Sequence, residues 1–292
     1  MKRWWFESMS VLRSIFDTLK KVKYPQIAIE LVRVETEFIL TIWKKELLAD
    51  NWTDFVSAFD TISIKAVDGD SLYKKKEVPG LVQQVRSLGK TVHLWGFHFC
   101  TSEETSRAEA RVAARACNMH KAVAYHWNAE KHWDNSVSPE LNGMAFADEF
   151  KKCAPDVELI ANCFNGAATG ELLERFDVFE PMCYGTKAAT IASKIRNRMR
   201  REDVPGCKRG IMVGTGRKHG EHQAWGFYET NSAAVPGLKD LVVETCPVVV
   251  NFFRAGVADG EDIMVEGNDL NPALNEQVLG IKEALGYIPR SV

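Results

Sequence analysis

The chain has 292 residues, 46% hydrophobic and 26% charged, which is enough to bury a large core and suits one large α/β domain. A formal charge of −2 and a pI near 6.4 exclude a general nucleic-acid binder, which would carry a clustered basic excess. The seven cysteines form no C-x-x-C pair, and several lie in apolar runs such as Ala161-Asn162-Cys163-Phe164. They read as small core residues of a protein that folds in a reducing compartment.

In chain order, Met1-Lys2-Arg3-Trp4-Trp5-Phe6 starts like a leader, but Glu7, Arg13 and Asp17 interrupt the apolar stretch and no small-residue cleavage site follows. The segment from Ile27 to Trp43 carries Glu30, Arg33, Glu35 and Glu37, too many charges for a bilayer span. The expectation is a soluble protein with no signal peptide and no membrane insertion, cytoplasmic or virion-associated. Met9, Leu12, Ile15, Phe16 and Leu19 recur at helical spacing, so residues 1–37 are predicted as an N-terminal helical arm. Its apolar stripe either packs across the following domain or serves as an oligomer or assembly contact. Residues 26–37 fit strand and helix equally well.

From residue 38 onward, short β-rich runs alternate with helical stretches. The predicted strands are Phe38–Trp43, Thr61–Val67, Thr91–Phe97, Ala122–Ala129, Glu158–Phe164, Val178–Tyr184, Arg209–Gly214 and Val248–Phe253. Between them, Pro79–Leu88 stops at Gly89, a natural left-handed cap, and Ser102-Glu103-Glu104 opens a helix that Ala108–Ala116 continues. Further helices are predicted over Leu141–Lys152, Ala188–Arg201, Ala233–Val243 and Pro272–Leu285. Eight such units over residues 38–292 predict a single (β/α)8 barrel of the α/β class, with an open doubly wound sheet as the alternative.

The fourth predicted strand carries the most information. Side chains alternate, so Val123, Tyr125 and Trp127 form an apolar set that should face the helices, while His126, Asn128 and Glu130 share the interior face. That alignment rises toward the carboxyl end, where barrel enzymes keep their catalytic groups. The bland alternative makes Glu130 the first residue of an exposed turn. Other strand ends add Lys65 and Asp68, Trp95 and His98, Asn165, and the set Glu180, Met182 and Tyr184 to the same rim. Lys65 and Glu180 could equally form an internal ion pair.

The runs Lys65-Ala66-Val67-Asp68-Gly69, Gly89 to His98, Asn128-Ala129-Glu130 and Pro181-Met182-Cys183-Tyr184 resemble the TIM-barrel glycoside hydrolases, nearest to their lysozyme-like and chitinase-like branches. The resemblance spans roughly residues 38–290. Those branches carry Asp-x-Glu at the end of the fourth strand and, in chitinase-like members, Met-x-Tyr on the sixth. Met182-Cys183-Tyr184 matches the second pattern, whereas Asn128 stands in place of the aspartate of the first.

The resemblance implies cleavage, or at least binding, of an amino-sugar polysaccharide such as peptidoglycan or a chitin-like glycan. Glycosidic cleavage needs a carboxylic acid of raised pKa and a second group that stabilises an oxocarbenium-like centre. Glu130 suits the acid, with burial among Trp95, Trp127 and Tyr184 raising its pKa. Glu180, Asp68, or a substrate N-acetyl oxygen oriented by Tyr184 would supply the second group. Asn128 could hydrogen-bond the acid or the acetamido group, and Lys65, Asp68, Trp95, His98, His126, Asn165 and Glu180 are expected to line the substrate site. Trp95, Trp133 and Trp225 are candidates for stacking on sugar rings.

Three rivals compete with this reading. A metal-dependent hydrolase lacks support, because no His-x-His or His-x-x-x-His pair occurs and His93 and His98 face opposite sides of one strand. No metal and no cofactor are therefore expected. Schiff-base chemistry at Lys65 has no second feature pointing to a carbonyl substrate. The loop Gly214-Thr215-Gly216-Arg217-Lys218-His219-Gly220 could take an anion or be a plain rim loop. From another class, Asn128 and the arm also suit a catalytically inactive barrel serving as a binding or structural module of a virion or cell-envelope assembly.

Overall fold

The computed structural model describes residues 36–42, 52–129, 131–163, 168–184, 188–205, 208–214, 237–253 and 273–286. Residues 1–35 of the predicted N-terminal arm, the loop after Gly214, Trp225, Glu130 and Asn165 lie outside these described residues, whereas Glu37, placed at the end of the arm, opens the first strand.

Nine strands are described: β1 (Glu37–Ile42), β2 (Thr61–Asp68), β3 (Ser71–Leu72), β4 (Thr91–His98), β5 (Ala124–Ala129), β6 (Glu158–Cys163), β7 (Val178–Phe179), β8 (Ile211–Gly214) and β9 (Val249–Phe253). The helices are α1 (Trp52–Phe55), α2 (Val78–Ser87), α3 (Glu103–His120), α4 (Lys131–Asp134), α5 (Pro139–Cys153), α6 (Gly170–Leu173), α7 (Ala188–Met199), α8 (Leu238–Thr245) and α9 (Ala273–Ala284).

Eight parallel strands run in the order β7-β6-β5-β4-β2-β1-β9-β8, and the bridges Phe179↔Arg209 and Met182↔Met212 join β7 to β8. The sheet is therefore a nearly closed α/β barrel, as the strand count predicts. All eight predicted strands are present, so β5 is the fourth strand of the barrel.

Local chemistry explains the element ends. Ser102 Oγ accepts from the Thr105 amide and Thr105 Oγ1 from the Ser102 amide, a reciprocal cap that starts α3. Gly89, at φ +70°, follows α2 as expected. The sixth predicted strand is cut to two residues because Pro181 has no N–H to continue the ladder, although Met182 rejoins it at Met212. The unexpected β3 is the return arm of a hairpin at Gly69-Asp70. Gly69, at φ +59°, takes a turn conformation that a side chain would strain.

The two faces of the barrel strands separate cleanly. Tyr125 and Trp127 join the outer apolar layer between sheet and helices, where Trp127 meets Trp133, Phe146 and Phe176 with ring centroids 5.2, 5.7 and 5.2 Å away. Inside, Ile39, Ala124, Ile160, Val178 and Val249 form an apolar plug toward the amino end. Trp95, Met182, Tyr184, Met212 and Phe253 form a second cluster toward the carboxyl end. Between these clusters the interior carries polar side chains, in contrast to the branched apolar layers usual in such barrels.

Candidate functional site

The interior polar set is built by period-two alternation. β4 contributes His93 and Trp95, β5 His126 and Asn128, β6 Asn162, β9 Asn251, and the segment after β7 Glu180. All are buried, and Glu180 is 0% exposed.

Glu180 organises the centre. Its Oε2 accepts from His126 Nδ1 at 3.1 Å, from Asn251 Nδ2 at 3.2 Å and from Asn162 Nδ2, which also donates to the Glu180 backbone carbonyl at 3.0 Å. Asn251 Oδ1 in turn accepts from Thr41 Oγ1 at 2.8 Å. His126 Nε2 lies 3.1 Å from His93 Nδ1, and His93 Nε2 lies 3.7 Å from Oε1 of Glu37, which also accepts from Thr61. Burial, reinforced by the neighbouring His126, holds His93 well below the ordinary imidazole range. Burial also raises the Glu37 carboxyl, against the opposing hydrogen bond from Thr61.

Several interior polar atoms remain unpartnered among the described residues: Ser63 Oγ, Asn128 Oδ1, Asn162 Oδ1 and Glu180 Oε1. Asn128 is 6% exposed, at the carboxyl end of β5. Buried acceptors of this kind are costly when isolated, so they mark where a donor is best received.

The apolar cluster toward the carboxyl end holds the aromatic candidates. Trp95 Nε1 donates to the Ile42 carbonyl at 3.0 Å, and its ring meets Phe253 edge-on at 5.9 Å. The Tyr184 ring stacks on Phe253 at 6.0 Å, with its hydroxyl 3.0 Å from Met212 Sδ. Lys65 Nζ lies 3.4 Å from Asp68 Oδ1 and over the rings of Tyr73 and Trp95, at 4.6 and 5.4 Å from their centroids.

Of the sequence-predicted residues, the strands thus bring Asn128, His126, Glu180, Trp95, Tyr184 and Lys65 to one interior, with Asp68 beside Lys65 on the β2–β3 hairpin. His98 is not among them: it faces the helices, with Nδ1 3.0 Å from Glu109 Oε2 and Nε2 2.7 Å from the Tyr125 hydroxyl. Burial lowers its pKa despite the Glu109 carboxylate. Trp127 and Trp133 also lie in the outer layer, so neither borders the interior polar set. An open cavity of about 560 Å³ between β3 and α2, lined by Lys74, Lys75 and Lys76 among others, contains none of the predicted site residues.

Sequence reasoning missed His93, Asn162, Asn251 and Glu37. A signal was present: Asn251 interrupts Val248-Val249-Val250-Asn251-Phe252-Phe253, and Asn162 sits in an equally apolar run. A lone amide within a buried strand must find a polar partner.

No protein-family model matches the sequence, and no curated protein matches it. Solved structures do resemble the barrel. A chitinase from Bacteroides thetaiotaomicron aligns at 8% identity over 88% of this chain and 99% of its own, with a TM-score of 0.60. A GH18 chitinase from Pseudoalteromonas aurantia aligns at 9% identity over 75% of this chain and 94% of its own, at 0.56. The Bacillus megaterium spore cortex-lytic enzyme SleL aligns at 8% over 85% of this chain and 73% of its own, at 0.57.

The chain shares the barrel fold of these three enzymes. At these identities the likeness is one of architecture, and residue roles rest on the geometry above. Among the described residues, no group of three or more His, Cys, Asp or Glu side chains is placed to hold a metal, and no helix is long and apolar enough to cross a membrane.

Proposed function

We propose that this chain is a glycoside hydrolase acting on an amino-sugar polymer, a chitin-like glycan or peptidoglycan, with Glu130 as general acid. The observation that carries the reading is Asn128. It ends the interior row of β5 two residues before Glu130 in sequence, and its Oδ1 is buried without a partner. An acetamido N–H is a donor that such an acceptor would receive, which orients the N-acetyl oxygen toward the anomeric carbon. Tyr184, in the aromatic cluster with Trp95, supplies a hydroxyl for the same acetamido group. The fold shared with chitinases and a cortex-lytic enzyme supports the substrate class.

Substrate assistance suits this interior better than a second protein carboxylate. One oxygen of Glu180 is already committed to three donors, and Asp68 sits half-exposed beside Lys65. The neighbouring oxygen of the sugar would form the bond to the anomeric carbon as Glu130 gives its proton to the leaving oxygen. Water then opens the cyclic intermediate and returns a proton to Glu130. A second reading, a barrel that binds the glycan without cleaving it, is favoured by Asn128 itself, since an amide supplies no charge where related barrels carry an aspartate.

Paired substrates test the proposal. Chitin oligomers with intact N-acetyl groups are expected to release reducing ends, whereas the same oligomers after de-N-acetylation are expected to stay intact. Equal cleavage of both would remove the role of the acetamido group, and cleavage of neither would favour the binding module.

A further inference from the structure

The two interior histidines are connected in series. His93 presents Nε2 to Glu37 and Nδ1 to His126, while His126 presents Nε2 to His93 and Nδ1 to Glu180. Each ring therefore uses both nitrogens along one line running from β1 through β4 and β5 to the segment after β7. Glu37 is the first residue of β1, with a side chain 29% exposed, whereas the other end of the line is fully buried. We propose that His93 and His126 form a proton relay through the barrel interior, by which the buried Glu180 carboxyl exchanges its proton with solvent at Glu37 on the amino end.

The geometry restricts the relay to two states. A neutral imidazole carries one proton, so one nitrogen donates and the other accepts. With His93 Nδ1 facing His126 Nε2, opposite tautomers would set donor against donor or lone pair against lone pair. Both rings must then be protonated at Nδ1, or both at Nε2.

In the first state Glu37 holds a carboxyl proton and Glu180 is the carboxylate that accepts from His126 and the two asparagines. Conversion to the second moves three protons one step each. The Glu37 O–H breaks as His93 Nε2–H forms, His93 Nδ1–H breaks as His126 Nε2–H forms, and His126 Nδ1–H breaks as the Glu180 O–H forms. The result is Glu37 as carboxylate and Glu180 as carboxylic acid, with no charge left on either ring.

The 3.7 Å gap between His93 and Glu37 closes to hydrogen-bond range with a carboxyl shift of roughly half an ångström, small for a partly exposed side chain. Burial favours a neutral His93 and a Glu37 able to hold a proton, which suits the first state. Glu158 on β6 and Asp60 before β2 are the other carboxyls that raise Glu37, while His126 opposes them. Burial, Asp177 and Glu180 raise Glu158 in turn, while His126 and Lys151 oppose them.

The relay rests on ring geometry and does not depend on glycan cleavage, and its test uses no substrate. The full chain, labelled with 15N at histidine, is studied by long-range 1H–15N spectra near neutral pH, with ring signals assigned by their loss in His93→Gln and His126→Gln. Both rings are expected neutral and in the same tautomer. In Glu37→Gln, which keeps an acceptor for Thr61 but cannot pass a proton, exchange of the two ring protons with water is expected to slow about tenfold or more. The His98 ring, outside the line, serves as control and should be unchanged. Unlike tautomers in the wild type, a charged ring, or unaltered exchange in Glu37→Gln would overturn the relay. Should Glu37→Gln not fold, the tautomer measurement decides the matter.

Discussion

Replacing Glu180 by alanine tests the polar interior most severely. The change leaves His126 Nδ1 and Asn251 Nδ2 without their acceptor in a region closed to solvent, while Asn162 Nδ2 keeps the backbone carbonyl of residue 180. Each unsatisfied buried donor costs about 1–3 kcal/mol, so the two together come to roughly 2–6 kcal/mol. Relief of the desolvation penalty on the carboxyl itself offsets part of this. The net expectation is a loss of about 2–4 kcal/mol. Urea unfolding followed by tryptophan fluorescence reads the change as a fall in midpoint of about 1 M for a slope near 3 kcal/mol/M. Glu180→Gln, which retains a carbonyl acceptor, should lose markedly less. A loss below about 1 kcal/mol in Glu180→Ala would refute the reasoning, because two donors cannot be buried and idle at so small a cost.

Two further outcomes follow from single contacts. A Cβ at Gly96 would lie 2.1 Å from the Tyr125 hydroxyl and 2.7 Å from Val67 Cβ, and His98 holds that hydroxyl in place. Gly96→Ala should therefore cost about 1–3 kcal/mol in urea unfolding, and unchanged stability would contradict the outward placement of Tyr125. The second concerns pH: burial depresses the folded-state pKa of His93, so on acidification the unfolded chain takes up that proton first. The stabilisation is complete above the unfolded value of 6.5 and is lost as pH falls toward the folded one. Glu37 and Glu158 act in the opposite sense, since their raised values favour the folded state at low pH and weaken it as pH rises. The drop in unfolding midpoint between pH 7.5 and 5.5 should be smaller in His93→Gln than in the wild type. An equal or larger drop would mean that the ring is not held neutral.

Much of this architecture is legible in the sequence because barrel strands are short, alternate with helices and carry distinctive ends. Alternation along β5 correctly separates Tyr125 and Trp127 from His126 and Asn128, since a one-residue slip would bury the wrong set. The same rule places His93 with Trp95 inside and His98 outside. Reasoning from position at a strand end, rather than from alternation, misplaces His98 in the site. The pairing of Glu180 with asparagines from β6 and β9 is not legible, because it depends on which strands become neighbours across a closed sheet. Trp133 is likewise indistinguishable in sequence from a sugar platform; only its contact with Trp127 shows it to be core. The β2–β3 hairpin escapes a helix-and-strand rhythm because its second arm is two residues long.

The most direct test of the account compares reducing-end release from an N-acetylated chitin oligomer by the wild type and by Glu130→Gln, with matched unfolding midpoints confirming that both are folded. A general acid typically contributes about 10²–10⁴-fold, so the wild type should turn over the oligomer and the variant should fall by that factor. Equal turnover by the two proteins, or none by either, would contradict a glycosidase that works through this carboxyl group.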